Sequence, residues 1–379
     1  MPKSDDSLFK KLVFSFDCWK WPTLIKRFED TDVLVMDQVL FDHLPLDADT
    51  LQARHVTPDA ALSSLPEGIK RVFVFALHGE WAQVKALRSA YPEVSVYSMI
   101  YQLGPSCAQR PVKVPVYAHS KIKKRAPIVI LSTPGSDVEF LARTMEANGL
   151  PYPKEYFGKA LMNLVPAMDH FNAARYLDEV LAQSPGQRVS MIIQTDVWKL
   201  LQKQTSLSAR RMQQWLKETN AKVIYFSRRD KMMQAAIHNL MARQPSRSPW
   251  DMIPKERKEL KMRRKVNFHA ANLVMHRMVT VEERLERFTS TLPHVKMISL
   301  EELVESPARV IEGIAQFIGQ KPAKELKELD YGEHYRSIPN LESAALSYRR
   351  ELIDRLGLHV NMSGSLVTKS DELIHKGKK

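Results

Sequence analysis

The residues best suited to chemistry fall in two stretches. The first, Pro127 to Phe157 (PIVILSTPGSDVEFLARTMEANGLPYPKEYF), begins as an apolar, β-branched run and turns through Thr133, Pro134, Gly135 and Ser136. At Asp137 it starts a segment whose apolar positions Val138, Leu141 and Met145 recur at helical spacing. Strand, tight turn and helix start can hold an anion, because unpaired N–H groups and the positive end of the helix dipole face one point. The second stretch, Val223 to Asp230 (VIYFSRRD), ends a strand in Arg228-Arg229 and turns into a helix. That places two guanidinium groups at the carboxyl edge of a sheet, where α/β folds take their ligands, and the planar fork of arginine suits phosphate. The blander reading of Arg229 is a surface arginine in a salt bridge. Glu155 lies in the Pro-rich exit PYPKEYF, which should cross the carboxyl edge of the sheet. By position alone it is an ordinary surface or helix-start carboxylate.

The elements that must hold these residues are legible as alternation. Within residues 11–101, KLVFSF, DVLVMDQVLF, RVFVFAL and VSVYSMIY are strand-like, while WPTLIKRFED and GEWAQVKALRSAY are helical by spacing. Asp47 to Ile69 reads as one helix plus loop. Strands alternating with helices argue a parallel sheet, so residues 1–101 are expected to form a small Rossmann-like or flavodoxin-like α/β domain. It carries neither a Gly-x-Gly-x-x-Gly nor a Walker loop. A site there would use Asp17, Asp37 or His78, although Asp17 is better explained as a helix cap. Residues 102–126, with three prolines and a terminal basic cluster, read as a linker.

From residue 127 to 365 the alternation resumes. Helices are expected over 168–183, WKLLQK, SARRMQQWLKETN and KMMQAAIHNLMAR, and strands at VSMIIQ and KVIYFSRRD. An amphipathic segment covers 281–290, VKMISLEELVESP reads as strand then turn, and ARVIEGIAQFIG as a helix ended by Gly319. Residues 366–379 form a mostly polar tail.

Composition bounds the function. The 379 residues are 44% hydrophobic and 26% charged, ordinary for a soluble protein. No run approaches the roughly 18 apolar residues of a membrane span, and the polar start lacks a signal-peptide core. Two cysteines, Cys18 and Cys107, supply no disulfide framework or metal site, which suits a reducing cytoplasm. The net charge of +13 points to anionic partners, and twelve Lys/Arg against four Asp/Glu lie between Ser227 and Lys265. A solvated helix face explains most such clusters. The sharper reading is a phosphorylated ligand, or an anionic membrane surface met by residues 255–265 at the inner face of the membrane. Nucleic acid is disfavoured, because aromatics do not interleave with the basic residues.

Taken together, strand, small-residue loop, helix, Asn-Gly and Pro-x-Glu-Tyr-Phe resemble the opening of the trehalose sulfotransferase-like family, and the likeness extends over about the last two thirds of the chain. The run FSRRDKMMQAAIHNLMAR resembles that family's segment for the 3′-phosphate of PAPS (3′-phosphoadenosine 5′-phosphosulfate), and Trp250 also matches. VKMISLEELVESPARVIEGIAQFIGQ is similar to its strand–turn–helix, and SYRREL to its C-terminal helix. The resemblance implies a P-loop-type sulfotransferase domain that transfers a sulfuryl group from PAPS to a hydroxyl of a carbohydrate or glycolipid, without a metal. It makes Glu155 the base, puts Thr133, Gly135 and Ser136 at the 5′-phosphosulfate, and puts Arg229, with Arg228, at the 3′-phosphate. The loop departs from the family's Arg followed by Ser-Gly-Ser-Thr: it lacks the cation and carries Asp137 and Glu139, while Ile237 stands where the 3′-phosphate serine is expected. A degenerate relative, keeping the fold as a binding or scaffolding module in surface-polysaccharide assembly, is the alternative. In the active reading Lys154, Lys159 or Arg143 replaces the lost cation. In the degenerate one Asp137 caps its own helix and closes the loop.

Overall fold

The computed structural model describes residues 25, 28–43, 54–104, 126–168, 171–182, 188–204, 207–241, 266–332, 341–355, 358–360 and 366–368. The first strand expected (KLVFSF), Asp17, both cysteines, most of the expected linker, Trp250 and the basic stretch 255–265 lie outside these residues. The chain forms two compact units, Met1–Val129 with Pro153–Ala221, and Ile130–Tyr152 with Lys222–Lys379.

The first unit is built on a parallel sheet of strands β1 (Asp32–Met36), β2 (Arg54–Val56), β3 (Arg71–Phe75) and β4 (Ser95–Ser98), in the order β2-β1-β3-β4. This order reverses direction between β1 and β3, as in flavodoxin-like folds. Helices α1 (Gln38–His43), α2 (Pro58–Ser63) and α3 (Glu80–Ala90) alternate with the strands. Val33, Val35, Val72, Val74 and Val96 form one core cluster with Ala61, Val84 and Leu87, which is the burial a parallel sheet demands of β-branched residues. Asp32, fully buried, accepts two hydrogen bonds of 2.6 Å from Arg71 and ties β1 to β3 at their amino ends.

Three local expectations change here. Asp47 to Ile69 holds a strand as well as a helix: β2 is only three residues long, too short for a period-2 signal. The run DVLVMDQVLF is split, with Gln38–His43 helical and the Gln38 amide donating to Asp42 one turn on. The run VSVYSMIY is also split, and Met99–Leu103 forms a π-helix whose first backbone groups are held by side chains, as described below.

A second four-stranded sheet has the order β6-β5-β7-β8, with β5 at Ile128–Ser132, β6 at Ser190–Gln194, β7 at Lys222–Ser227 and β8 at Val295–Ser299. β7 and β8 pair in parallel. The division between the compact units falls within β5. Helix α4 (Val138–Ala147) follows β5. In the first unit come α5 (Lys159–Leu164), α6 (Ala173–Ala182), α7 (Thr195–Gln204) and α8 (Ala209–Glu218). The second contains α9 (Lys231–Met241), α10 (Phe268–Thr289), α11 (Leu300–Glu305), α12 (Pro307–Ile318) and α13 (Leu341–Arg355). The fold class is α/β with parallel sheets, as the alternation implied. Helix α10 is far longer than the 281–290 segment that periodicity marks, and it starts where Asn267 accepts from the Ala270 N–H. The expected turn after β8 is helix α11, opened by a capping box between Ser299 and Glu302. α12 ends at Gly319 in the left-handed region, as expected. Leu366–Thr368, in the expected tail, pairs antiparallel with Leu358–Val360 as β10 and β9. Among the described residues no helix is long and apolar enough to cross a membrane.

Candidate functional site

β5 is buried throughout and delivers the chain to the loop Thr133–Ser136, from which α4 departs. Gly135 has φ +77°, and a Cβ there would lie 2.9 Å from the Gln234 carbonyl oxygen, so the loop closes against α9 only because this residue has no side chain. Thr133 is buried; its hydroxyl donates to Glu282 of α10 at 2.7 Å and accepts from the Gln234 amide at 2.7 Å. The same amide donates to the Pro134 carbonyl at 2.9 Å. Lys231 pairs with Glu282 at 2.5 Å, and its ammonium also donates to the Gln234 side chain and the Arg228 carbonyl. Ser136, 1% exposed, has a hydroxyl without a hydrogen-bond partner among the described residues, as does the buried Ser132 at the end of β5.

Arg228 is a second cation at this loop, beside Lys231. It extends from the end of β7, is buried, and donates from Nη1 to Asp137 Oδ2 at 2.9 Å. Asp137 stands at the N-cap with φ 59°, in the left-handed region that non-glycine residues seldom adopt, and its side chain makes no cap bond to its own helix. The same Oδ2 accepts from the Tyr331 hydroxyl at 2.7 Å, and the Tyr331 ring meets Phe140 edge-on at 4.8 Å. The expectation that Asp137 caps its helix is therefore corrected: its carboxylate serves Arg228 and Tyr331. Glu139, the other acidic residue of the loop region, pairs with Arg143 at 3.1 Å and accepts from Tyr152, so Arg143 is engaged along its own helix.

Arg229 is placed differently. Its guanidinium is 60% exposed and pairs with Glu302 at 2.8 Å, and its backbone N–H donates to Glu301. Burial raises the Glu301 pKa, but the N–H groups of Arg229 and Asp230 outweigh it and hold the carboxyl below its ordinary range. This turn is a surface junction between β7 and α11, one residue away from the buried Arg228. Arg349 and Arg350 of SYRREL are exposed on α13.

Glu155 belongs to the first unit. Its half-buried carboxylate accepts from the Gln194 amide at 3.1 Å, at the end of β6. Tyr156 and Phe157 beside it are buried, and burial pushes the Tyr156 phenol up to about 12. The PYPKEYF segment reaches the carboxyl end of β6 at Glu155. It lies beside β6, where Lys154 forms a parallel bridge to Met191 through bonds with Ser190 and Ile192. The edge of β6 offers unpaired backbone groups, and satisfying them outweighs the stiffness of the two prolines. Burial lowers the pKa of Lys154. The side chain of Lys159 lies outside the described residues.

In the N-terminal sheet a strongly perturbed carboxylate is Glu80, the first residue of α3, two residues after His78. It accepts from the N–H groups of Ala76 (3.1 Å) and Ile100 (3.0 Å) and shares a hydrogen bond with Ser98. Complete burial raises its pKa to about 8 against those three contacts. Ser98 in turn accepts from the Tyr101 N–H, and Gln102 from the Ser98 N–H, which is what holds the π-helix. Glu80 thus joins the carboxyl ends of β3 and β4 by an internal contact. The sequence shows it only as one glutamate in an amphipathic helix.

Lys231, Gln234, Glu282 and Tyr331 are the loop-facing residues that sequence reading missed. The first two lie in the RDKMMQ run, and their spacing of three on one helix face was the available signal. Nothing local marks Glu282 or Tyr331.

No protein-family model matches the chain, and no curated protein sequence matches it. Among solved structures, the chain is similar to mouse sulfotransferase SULT7A1 complexed with PAP, with a TM-score of 0.27 and 17% identity. The match covers 56% of this chain and 64% of that one, just under two thirds of its length.

Proposed function

We propose that the chain is a sulfotransferase-like enzyme that moves a sulfuryl group from PAPS to a hydroxyl of a carbohydrate or glycolipid. The observation that carries this reading is Arg228, a buried guanidinium at the β5–α4 loop, which restores the cation that the loop sequence lacks. The donor set suits a phosphosulfate: the Arg228 fork, the hydroxyls of Ser132 and Ser136, without a partner among the described residues, and the N–H groups at the start of α4. Bound PAPS supplies the sulfuryl group on a phosphate leaving group. The chain stabilises charge on the migrating group through Arg228 and the loop N–H groups, fixed in advance by the Thr133, Gln234 and Lys231 contacts. The family resemblance makes Glu155, whose carboxylate accepts from the Gln194 amide, the candidate base for the acceptor proton. The likeness of the loop, of the FSRRDKMMQ run and of the β8–α12 segment to the trehalose sulfotransferase-like family supports a carbohydrate acceptor.

Mass-spectrometric detection of sulfated glycans, after incubation with PAPS and a panel of oligosaccharides and glycolipids, tests the reading. The expected result is a product whose formation falls about 100-fold or more in Glu155→Gln, the scale of a lost general base. Product formed equally by wild type and Glu155→Gln would remove Glu155 from the mechanism. A second reading, a sulfotransferase-fold binding or scaffolding protein in surface-polysaccharide assembly, is favoured by one observation, the engagement of Arg228 by Asp137. It predicts no product with any acceptor.

A further inference from the structure

We propose that Asp137 is a built-in competing anion, held on Arg228 where an external sulfate or phosphate group would sit, and that Tyr331 latches it there. The inference rests on the reading of the β5–α4 loop as an oxyanion site. An aspartate at a helix N-cap normally accepts from its own helix; this one makes no such bond and sits in the left-handed region at φ 59°. Its Oδ2 instead receives a guanidinium N–H at 2.9 Å and a phenol O–H at 2.7 Å. Convergent charged and neutral donors on one oxygen are what a sulfate or phosphate oxygen requires. Next to it in the chain, Ser136 is buried with a hydroxyl that has no partner among the described residues, a donor available to a second anion oxygen.

The latch has a visible support. The Asn148 side chain at the C-terminal end of α4 exchanges hydrogen bonds with the Lys327 backbone, at 2.7 and 3.0 Å, and the Asn148 main-chain carbonyl accepts from the Ala323 N–H at 2.9 Å. Gln320 donates to the Gly149 carbonyl at 3.1 Å. Residues 320–331 therefore run along α4 from its C-terminal to its N-terminal end, and Tyr331 arrives at Asp137 with its ring against Phe140. Release of Tyr331 and Asp137 would expose Arg228 to an incoming anion.

Thermal unfolding of wild type, Asp137→Asn and Tyr331→Phe, each titrated with sodium sulfate and separately with PAP, tests the proposal. Removing the carboxylate takes from the buried Arg228 its 2.9 Å ion pair, so Asp137→Asn is expected to melt lower and to recover with sulfate, with an apparent sulfate affinity about tenfold tighter than wild type. Tyr331→Phe, which keeps the fold contacts and loses one bond to Asp137, is expected to gain about two- to fivefold. Equal sulfate responses in wild type and Tyr331→Phe, together with equal responses in wild type and Asp137→Asn or with failure of Asp137→Asn to fold, would overturn the inference. Tighter sulfate binding without any PAP response would uphold the internal anion and contradict the PAPS reading, so the two claims separate.

Discussion

A buried guanidinium paired with a buried carboxylate can be removed only by leaving that carboxylate charged in a dry environment. Arg228→Ala is accordingly expected to destabilise the chain by about 3–5 kcal/mol in urea unfolding. Arg229→Ala, which breaks a pair exposed on both sides, should change stability by no more than about 0.5–1 kcal/mol. Gly135→Ala adds a Cβ 2.9 Å from a backbone oxygen in the left-handed region, and a loss of at least about 2 kcal/mol is expected from the two effects together. At this scale the sequence was partly legible. The Arg-Arg pair, Gly135 and Ser136 could be chosen because type and position relative to a strand end are local properties. Which arginine turns inward could not, because that depends on Asp137 and Glu301, which lie 91 and 72 residues from the atoms they hold.

Glu80 shows what an element requires of a single residue. Its carboxyl pKa in the native chain, about 8, lies above the ordinary 4.5, so folding favours the protonated form. The stabilising contribution is complete below about pH 4.5 and is lost as pH rises through about 8. The melting temperature of the first unit should therefore fall over that window, and Glu80→Gln, neutral throughout, should flatten the fall. A pH profile unchanged by the substitution would mean that Glu80 does not titrate there. Elements with strong apolar period, such as β3, β5, β7 and α12, were legible because burial on a fixed face writes itself into the sequence. The π-helix at Met99–Leu103 was not, since Ser98, Gln102 and Glu80 hold it by polar contacts that leave no period. β2 was missed for its length, and the pairing of Lys154 with β6 because it is a single bridge.

Across the whole molecule, the alternation of strands and helices gave the α/β class, while the grouping of residues into two compact units crosses chain order and has no sequence signature. The central claim is that Arg228, rather than its neighbour, makes the β5–α4 loop an anion site. Calorimetric titration with PAP tests it most directly, using wild type, Arg229→Ala, and the double variant Arg228→Met with Asp137→Asn. The double variant replaces a buried ion pair by neutral groups of similar size, a change that cores tolerate. The expected result is saturable PAP binding by wild type and Arg229→Ala, with Kd below about 1 mM, equivalent to roughly −4 kcal/mol or better, and none by the folded double variant. Binding that survives in the double variant, or no binding by wild type at millimolar PAP, would contradict the claim.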